Sequence, residues 1–429
     1  MFTRDAGKAE SLGEAIFCGT GGFFWAIGKR SIVTCEGVFR FGFSMKGAVT
    51  FSIFLLAGSL AWASETGDRG EDSGYNLQGA ASYLDARNGH ALLVYREGEL
   101  IFEKYFNGHS ADKAHRLASG TKSFSGVLAV MAVEDGLLEL DEKVSETIIE
   151  WAEDPKKEPV TIRQLLSLSS GIEGGDNGKV PSGIQAVRMA EMTGRIGENF
   201  SYGPIPFQVW GELLRRKLEP KNESVEDYLK RRLFDQIGMK ARFWRKDDQG
   251  AIQFPSGAFI TAKEWAKFGL FVLNDGEWED EQVVSKELLQ ECFLPSEANS
   301  SYGLTFWLGQ WEGLPGDILM AAGKGKQKLY IVPSEDLLIV QLAEAEGYDE
   351  REFLSVFFGE GEASGTQGQQ GSRRQGVEYR FRNLDTDGDG KVSREESKGW
   401  PQFDRVDANS DGYLTREELG AFLRSRARR

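Results

Sequence analysis

Within Leu117-Ala118-Ser119-Gly120-Thr121-Lys122, a hydroxyl and an amine stand three residues apart at the head of an apolar segment. If that segment is helical, residues i and i+3 share a face, and the Lys122 amine can reach Ser119 Oγ. A lysine buried at the foot of a cleft loses solvation of its charged form. Its pKa then falls and it can take the hydroxyl proton. Ser119, near a helix N-terminus, also gains from the helix dipole and from unpaired backbone N–H groups. A second Ser-x-x-Lys, Ser110-Ala-Asp-Lys113, lies among polar residues and is read as a solvated loop. A Ser-His-Asp arrangement is disfavoured, because His90, His109 and His115 all lie upstream of residue 116 and no G-x-S-x-G occurs. The same three histidines lack the HExxH spacing of a zinc enzyme.

A second group of residues is rich in oxygen donors. Asp385, Asp387 and Asp389 are followed by Gly390, Lys391, Ser393 and Glu396; Asp407, Asn409 and Asp411 are followed by Gly412, Tyr413, Thr415 and Glu418. Both runs have the spacing of an EF-hand calcium loop. Positions 1, 3 and 5 carry ligands, glycine makes the sharp turn at 6, and a backbone carbonyl serves at 7. Position 9 is hydroxylated, and the glutamate at 12 can bind through both oxygens. Ca²⁺ is therefore the expected ion, and no cofactor is expected for the serine chemistry. The loops begin 22 residues apart with Pro401 between them, which leaves little room for two full helices. The spacing resembles that of dockerin modules, although those usually close their loops with aspartate where this chain has Glu396 and Glu418.

These residues must be held by elements the pattern also predicts. Ala91–Tyr95 and Leu100–Phe102 read as strands around a tight turn. Apolar Phe124, Val127, Leu128 and Met131 mark a helix over Ser119 to Glu134, and Thr161–Leu168 and Pro206–Leu218 are further helices. Strands return at Leu329–Val332 and Leu337–Leu342, separated by Pro333-Ser334-Glu335-Asp336. Strands at both ends with helices between predict an α+β domain over 75–358: one antiparallel sheet assembled from both termini and covered by helices. A Gly/Gln/Ser-rich stretch, 359–376, reads as a flexible linker, and 377–429 as a small all-α EF-hand pair. In the last helix Leu419, Phe422 and Leu423 form an apolar stripe that Phe381, Leu384 and Phe403 can meet.

Ser119-Gly-Thr-Lys-Ser-Phe-Ser-Gly, Glu134-Asp-Gly-Leu-Leu-Glu-Leu-Asp141 and Thr161-Ile-Arg-Gln-Leu-Leu-Ser-Leu-Ser-Ser-Gly171 occur in that order. With Thr261-Ala-Lys-Glu-Trp-Ala-Lys-Phe-Gly269 and Tyr302-Gly-Leu-Thr-Phe-Trp307, this series resembles the class C β-lactamase-related serine hydrolases from about residue 78 to 345. The resemblance implies a β-lactamase/transpeptidase-like fold and acyl transfer through an ester on Ser119. It also implies that Tyr202, in Phe200-Ser201-Tyr202-Gly203-Pro204, shares the base role; the asparagine of the family's Tyr-x-Asn is Pro204 here. The family's Lys-Thr-Gly strand corresponds to Ala321-Ala322-Gly323, followed by Lys324. These four residues are expected to line the substrate, with Gly323 leaving room for it and a backbone N–H near Lys324 joining that of Ser119 as an oxyanion hole. Lys324, Lys326 and Lys328 are read either as an anion-binding group or as exposed strand lysines. Loss of the gripping lysine, threonine and asparagine argues against efficient penicillin turnover and for a small ester or amide substrate. A silent ligand-binding relative, or a calcium-dependent adhesion or scaffold module, are the alternatives.

Met45-Lys-Gly, the apolar stretch to Leu60 and Ala61-Trp62-Ala63 match a signal peptide over 45–63, cleaved after Ala63, so residues 1–44 are read as a mis-annotated extension. The protein is expected to be exported, periplasmic or extracellular. Cleavage removes Cys18 and Cys35 and leaves Cys292 alone, so no internal disulfide is expected. With 51 basic and 66 acidic residues the formal net charge is −15. That is the wrong balance for nucleic acid, which needs a basic face. A protein or cell-surface partner is expected at the EF-hand pair instead.

Overall fold

The computed structural model describes residues 74–359, most of 381–419, and the backbone of a short antiparallel pair, Val33–Thr34 with Gly37–Val38. The segment read as a signal peptide with its expected cleavage site, the stretch read as a linker beyond Gly359, Pro401, Phe422 and Leu423 lie outside the described residues.

Helix α1 (Leu77–Asp85) starts where Asn76 Oδ1 accepts the Gly79 N–H at 2.9 Å. It leads into strand β1 (Gly89–Arg96), and β2 (Glu99–Tyr105) returns beside it. The turn between them puts Glu97 and Gly98 at positive φ, 52° and 75°, the conformation that matches the twist of a two-residue hairpin. Later come α2 (Ser123–Glu134), α3 (Ile205–Leu218), α4 (Ala262–Leu273), β3 (Trp307–Gly309), β4 (Ile318–Gly323), β5 (Gln327–Val332), β6 (Leu337–Ala343) and α5 (Glu350–Phe358). The six strands form one antiparallel sheet in the order β3-β4-β5-β6-β1-β2. The two termini of the domain therefore meet at its centre, with Leu93 opposite Val340 and Leu338 opposite Tyr95.

Period-two alternation sorts the strands' side chains onto two faces. Leu92, Val94, Tyr330 and Ile339 pack with α1 and α5, while Ala91, Leu93, Leu329 and Val340 face α2 and α4. The Thr161 and Thr261 positions of the recurrent motifs are helix caps: Thr161 Oγ1 accepts from Gln164 N and Thr261 Oγ1 from Glu264 N, each at 3.2 Å. Helix α2 is more deeply placed than its apolar stripe predicts. Every residue from Ser123 to Ala132 is buried, because the helix runs between the sheet and the helical region. The chain's three histidines meet one another in space, with ring centroids 5.0, 5.4 and 5.9 Å apart. Burial lowers the pKa of all three, that of His109 to about 4. Among the described residues their nitrogens do not converge on a metal-binding point; the group that does is Asp385, Asp387 and Glu396.

In the C-terminal module, Val392–Ser393 of the first loop pairs with Tyr413–Leu414 of the second. Phe381, Val392, Phe403, Val406, Leu414 and Leu419 form its core, with Leu384 packed against it.

Candidate active site and calcium loops

Ser119 sits in a 3₁₀ turn, Ala118–Lys122, that runs directly into α2. The helix expected from Ser119 onwards thus begins as the tighter form, in which i and i+3 side chains nearly eclipse. Lys122 Nζ donates to Ser119 Oγ at 3.1 Å and to the Pro255 carbonyl at 2.9 Å. Ser119 is half-buried and open to a reactant, whereas Lys122 is 2 % exposed. Burial alone lowers the Lys122 pKa to about 7, so at neutral pH a large fraction of the amine carries a free electron pair. The turn is anchored from outside: Thr121 Oγ1 donates to the Ala118 carbonyl at 2.7 Å and accepts from Ala258 N at 3.2 Å. Ala118, immediately before Ser119, has φ 46°, a left-handed conformation that strains a side chain bearing Cβ.

Tyr202 comes to the same point from the far side. Its hydroxyl is directed at Ser119, and its ring lies 4.9 Å from Lys122 Nζ. Burial raises its pKa, so it stays protonated and the lysine is the stronger candidate for the proton acceptor. The segment is stitched to 168–174 by Ser201 N to Leu168 O at 3.0 Å, Gly174 N to Ser201 Oγ at 2.8 Å and Ile205 N to Gly174 O at 3.0 Å. Pro204, where the related motif has asparagine, caps α3 without a side-chain hydrogen bond. Its restricted φ suits the start of a helix, and that position cannot also grip an amide.

The strand expected to line the substrate divides between two faces. Ala321 and Gly323 face the nucleophile's side; Ala322, opposite Lys328, shares the other face with Gln341. A one-residue step on a strand reverses the side chain, so Ala322 does not line the Ser119 site. The room at Gly323 is also used differently from the expectation: a Cβ there would collide with the Leu117 carbonyl, so the nucleophile's own turn fills it. Gly323→Ala is accordingly expected to push β4 and Ser119 apart and lower kcat by on the order of 10²-fold, since misplacement near 1 Å has that effect. Steady-state kinetics beside a melting curve separates this from unfolding. Lys324 is exposed at the β4–β5 hairpin, but Lys328 is 4 % exposed, with Nζ 2.6 Å from Glu350 Oε1; Lys326 pairs with the same carboxylate at 3.6 Å. Lys326 and Lys328 are thus committed to Glu350 rather than to a substrate anion. Ser110 and Lys113 are exposed, as read from the sequence, with Ser110 Oγ bonded to Asp112 at 2.6 Å.

Sequence reasoning missed the Pro255 carbonyl and an aromatic wall. Phe200, Tyr302 and Trp307 pack around Tyr202, with Tyr202–Trp307 centroids 5.7 Å apart and Tyr302–Trp307 4.9 Å. Tyr302 is buried, while Phe200 and Trp307 are half-exposed and give the site an apolar side. Tyr302 and Trp307 stood in a motif already singled out, but only the Tyr302–Trp307 bridge turns them towards Tyr202.

The calcium loops are shaped by their own carboxylates. Asp385 Oδ2 accepts from Gly390 N at 3.1 Å, and Asp407 Oδ2 accepts from Gly412 N at 3.0 Å. Both glycines have positive φ, 86° and 85°. Glu396 folds back to accept from Asp387 N and Ser393 N; Glu418 does the same with Asn409 N and Thr415 N. Asp385 Oδ1 is buried without a hydrogen-bond partner, and ligand oxygens of Asp385, Asp387 and Glu396 lie within 4.8 Å of one another. An orphaned carboxylate oxygen among other carboxylates fits a hard divalent cation.

A six-stranded antiparallel sheet flanked by helices, with a Ser-x-x-Lys turn leading into a buried helix, is the β-lactamase/transpeptidase-like fold. The Beta-lactamase family model matches residues 78–355, and the chain belongs to that family. EF hand models match 378–396 and 402–423. Among curated proteins, "Protein flp" of Staphylococcus aureus is 23% identical over 154 residues, 30% of this chain and 31% of that protein, so the match spans under a third of that relative's length. Three solved structures share the fold. A Bacillus anthracis protein designated a 6-aminohexanoate-dimer hydrolase has TM-score 0.55 and 22% identity, covering 64% of this chain and 79% of its own. EstCE1, a hydrolase with promiscuous acyltransferase activity, has TM-score 0.54 and 16% identity, covering 66% and 96%. The octameric penicillin-binding protein homologue from Pyrococcus abyssi has TM-score 0.51 and 20% identity, covering 65% and 73%.

Proposed function

We propose that the protein is an exported hydrolase of small neutral esters or amides, working through an acyl-enzyme on Ser119. The observation that carries this reading is the 3.1 Å contact between Ser119 Oγ and a buried Lys122 amine whose pKa is lowered to about 7. Lys122 takes the Ser119 proton as Oγ attacks the substrate carbonyl. Backbone N–H groups of Ser119 and of the segment after Gly323 receive the developing oxyanion. As the bond to the leaving group breaks, the proton passes to that group, with the protonated Tyr202 hydroxyl placed to relay it. Water then attacks the ester carbonyl and Lys122 takes its proton, passing it to Ser119 Oγ as the ester bond breaks, so that Ser119 is released with the free acid and Lys122 is neutral again.

The absence of the lysine, threonine and asparagine that grip a β-lactam, and the engagement of Lys326 and Lys328 by Glu350, favour substrates without an anionic group. Two proteins sharing the fold carry hydrolase designations, EstCE1 with promiscuous acyltransferase activity and a 6-aminohexanoate-dimer hydrolase, which is compatible with this reading. The signal-peptide pattern at 45–63 is the basis for export. Labelling with a fluorophosphonate probe and peptide mapping tests the assignment: modification at Ser119 supports it, and an unlabelled protein shifts the weight to a ligand-binding role.

Calcium would be held by Asp385, Asp387, Asp389, Ser393 and Glu396 with the Lys391 carbonyl, and by Asp407, Asn409, Asp411, Thr415 and Glu418 with the Tyr413 carbonyl. Its role here is structural, shaping a surface for a protein or cell-surface partner. A cation present at 100 times its Kd stabilises the folded module by about 2.7 kcal/mol per site. Chelation is expected to melt the module, read by scanning calorimetry with and without Ca²⁺, while ester hydrolysis stays unchanged. Loss of hydrolysis on chelation would instead couple the ion to catalysis.

A further inference from the structure

Lys122 immediately precedes α2, with its side chain turned into the site. The 3₁₀ turn Ala118–Lys122 runs straight into the first turn of α2. Thr305, from the loop between Tyr302 and Trp307, reaches that turn. Its Oγ1 accepts from Gly126 N at 3.1 Å and donates to the Ser123 carbonyl at 3.3 Å. Thr305 is 3 % exposed and has φ 73°, a genuine outlier for a β-branched residue. Strain of this kind persists only where surrounding contacts over-determine it. The approach also requires Gly126, since a Cβ there would collide with the Leu304 carbonyl and Thr305 Oγ1.

We infer that Thr305 is a positioning residue for the base: a hydroxyl bridge from outside the helix, between Gly126 N and the Ser123 carbonyl, that holds the 3₁₀-to-α junction and, through it, Lys122 against Ser119. The inference rests on the proposed Ser119–Lys122 chemistry. It also ties that junction to the Tyr302–Trp307 loop, so the residues that wall the substrate and the group that activates the nucleophile share one anchor.

The test compares full-length wild type, Thr305→Val, Thr305→Gly and Thr305→Ser in p-nitrophenyl butyrate hydrolysis, with active sites counted by fluorophosphonate titration. Valine keeps the shape and removes the hydroxyl. Glycine accepts the positive φ without strain and also lacks the hydroxyl, so it provides the test if the valine variant does not fold. Both are expected to lower kcat per active site by about tenfold or more with KM within about twofold. The acid limb of their pH profiles should move to higher pH as water reaches Lys122. Thr305→Ser should restore both. If the valine and glycine variants lose only melting temperature, with kcat and pH profile unmoved, the inference is overturned. Ser119→Ala in the same assay separates the two levels. An active Ser119→Ala removes the underlying reading and this one with it; an inactive one beside a fully active Thr305→Gly removes this one alone.

Discussion

Replacing Ser119 with alanine is expected to reduce ester turnover by about 10⁴-fold or more, because removal of the nucleophile of a coupled nucleophile–base unit has effects of that order. The substitution deletes one half-buried oxygen, so the melting temperature should barely move. The panel that makes this decisive comprises p-nitrophenyl acetate and butyrate, nitrocefin and a D-amino-acid amide, run with both proteins. Turnover of the acetate and butyrate by wild type, lost in the variant, with slow or absent nitrocefin cleavage, matches the altered Lys-Thr-Gly and Tyr-x-Asn positions. Equal background rates in both proteins would sink the enzyme reading.

The second large effect belongs to Lys122. Substitution by methionine, similar in length but without a proton to exchange, should lower kcat by on the order of 10²- to 10⁴-fold, the range for a general base. Wild-type activity should rise with pH through about 7 as the amine loses its proton. The same lowered pKa has a consequence for stability whose sign is fixed. Above about pH 10.5 the lysine is neutral in folded and unfolded chains, and no penalty exists. As pH falls from there the unfolded chain gains a proton first, and the penalty grows until the folded-state value near 7, reaching roughly 5 kcal/mol. Denaturant unfolding at several pH values should therefore show wild type losing stability relative to Lys122→Met between pH 10 and 7. Parallel curves for the two proteins would mean that the amine is not desolvated.

The Ser119–Lys122 contact was legible because its spacing is local: three residues on one turn need no tertiary information. The hairpin at Arg96–Glu99, the paired terminal strands and the position-by-position EF-hand loops were legible for the same reason, through alternation and turn chemistry. What escaped depended on register or on distant chain. Ala322 and Gly323 are neighbours in sequence, but which one faces Ser119 is decided by pairing with Lys328 and Gln327. Lys328 looks like a surface residue until Glu350, on a later helix, is brought over it. Thr305 reads as an ordinary hydroxyl in a loop; only its contact with Gly126, 179 residues earlier, shows that it bridges the first turn of α2.

The central pairing of β1 with β6 has one further consequence, for the order in which the molecule can assemble. Val340 must find Leu93 across most of the domain's length, so the middle of the sheet cannot close while the chain is still short of its final strand. Such distant pairing carries a large loop-closure entropy before any contact rewards it, which makes folding slow. A growing chain would stay open, with β1 lacking one neighbour, until Ala343 becomes available. That delay exposes an apolar strand to aggregation, and under the proposed export it also keeps the polypeptide in the unfolded form that can be threaded through a narrow translocation pore before the sheet locks.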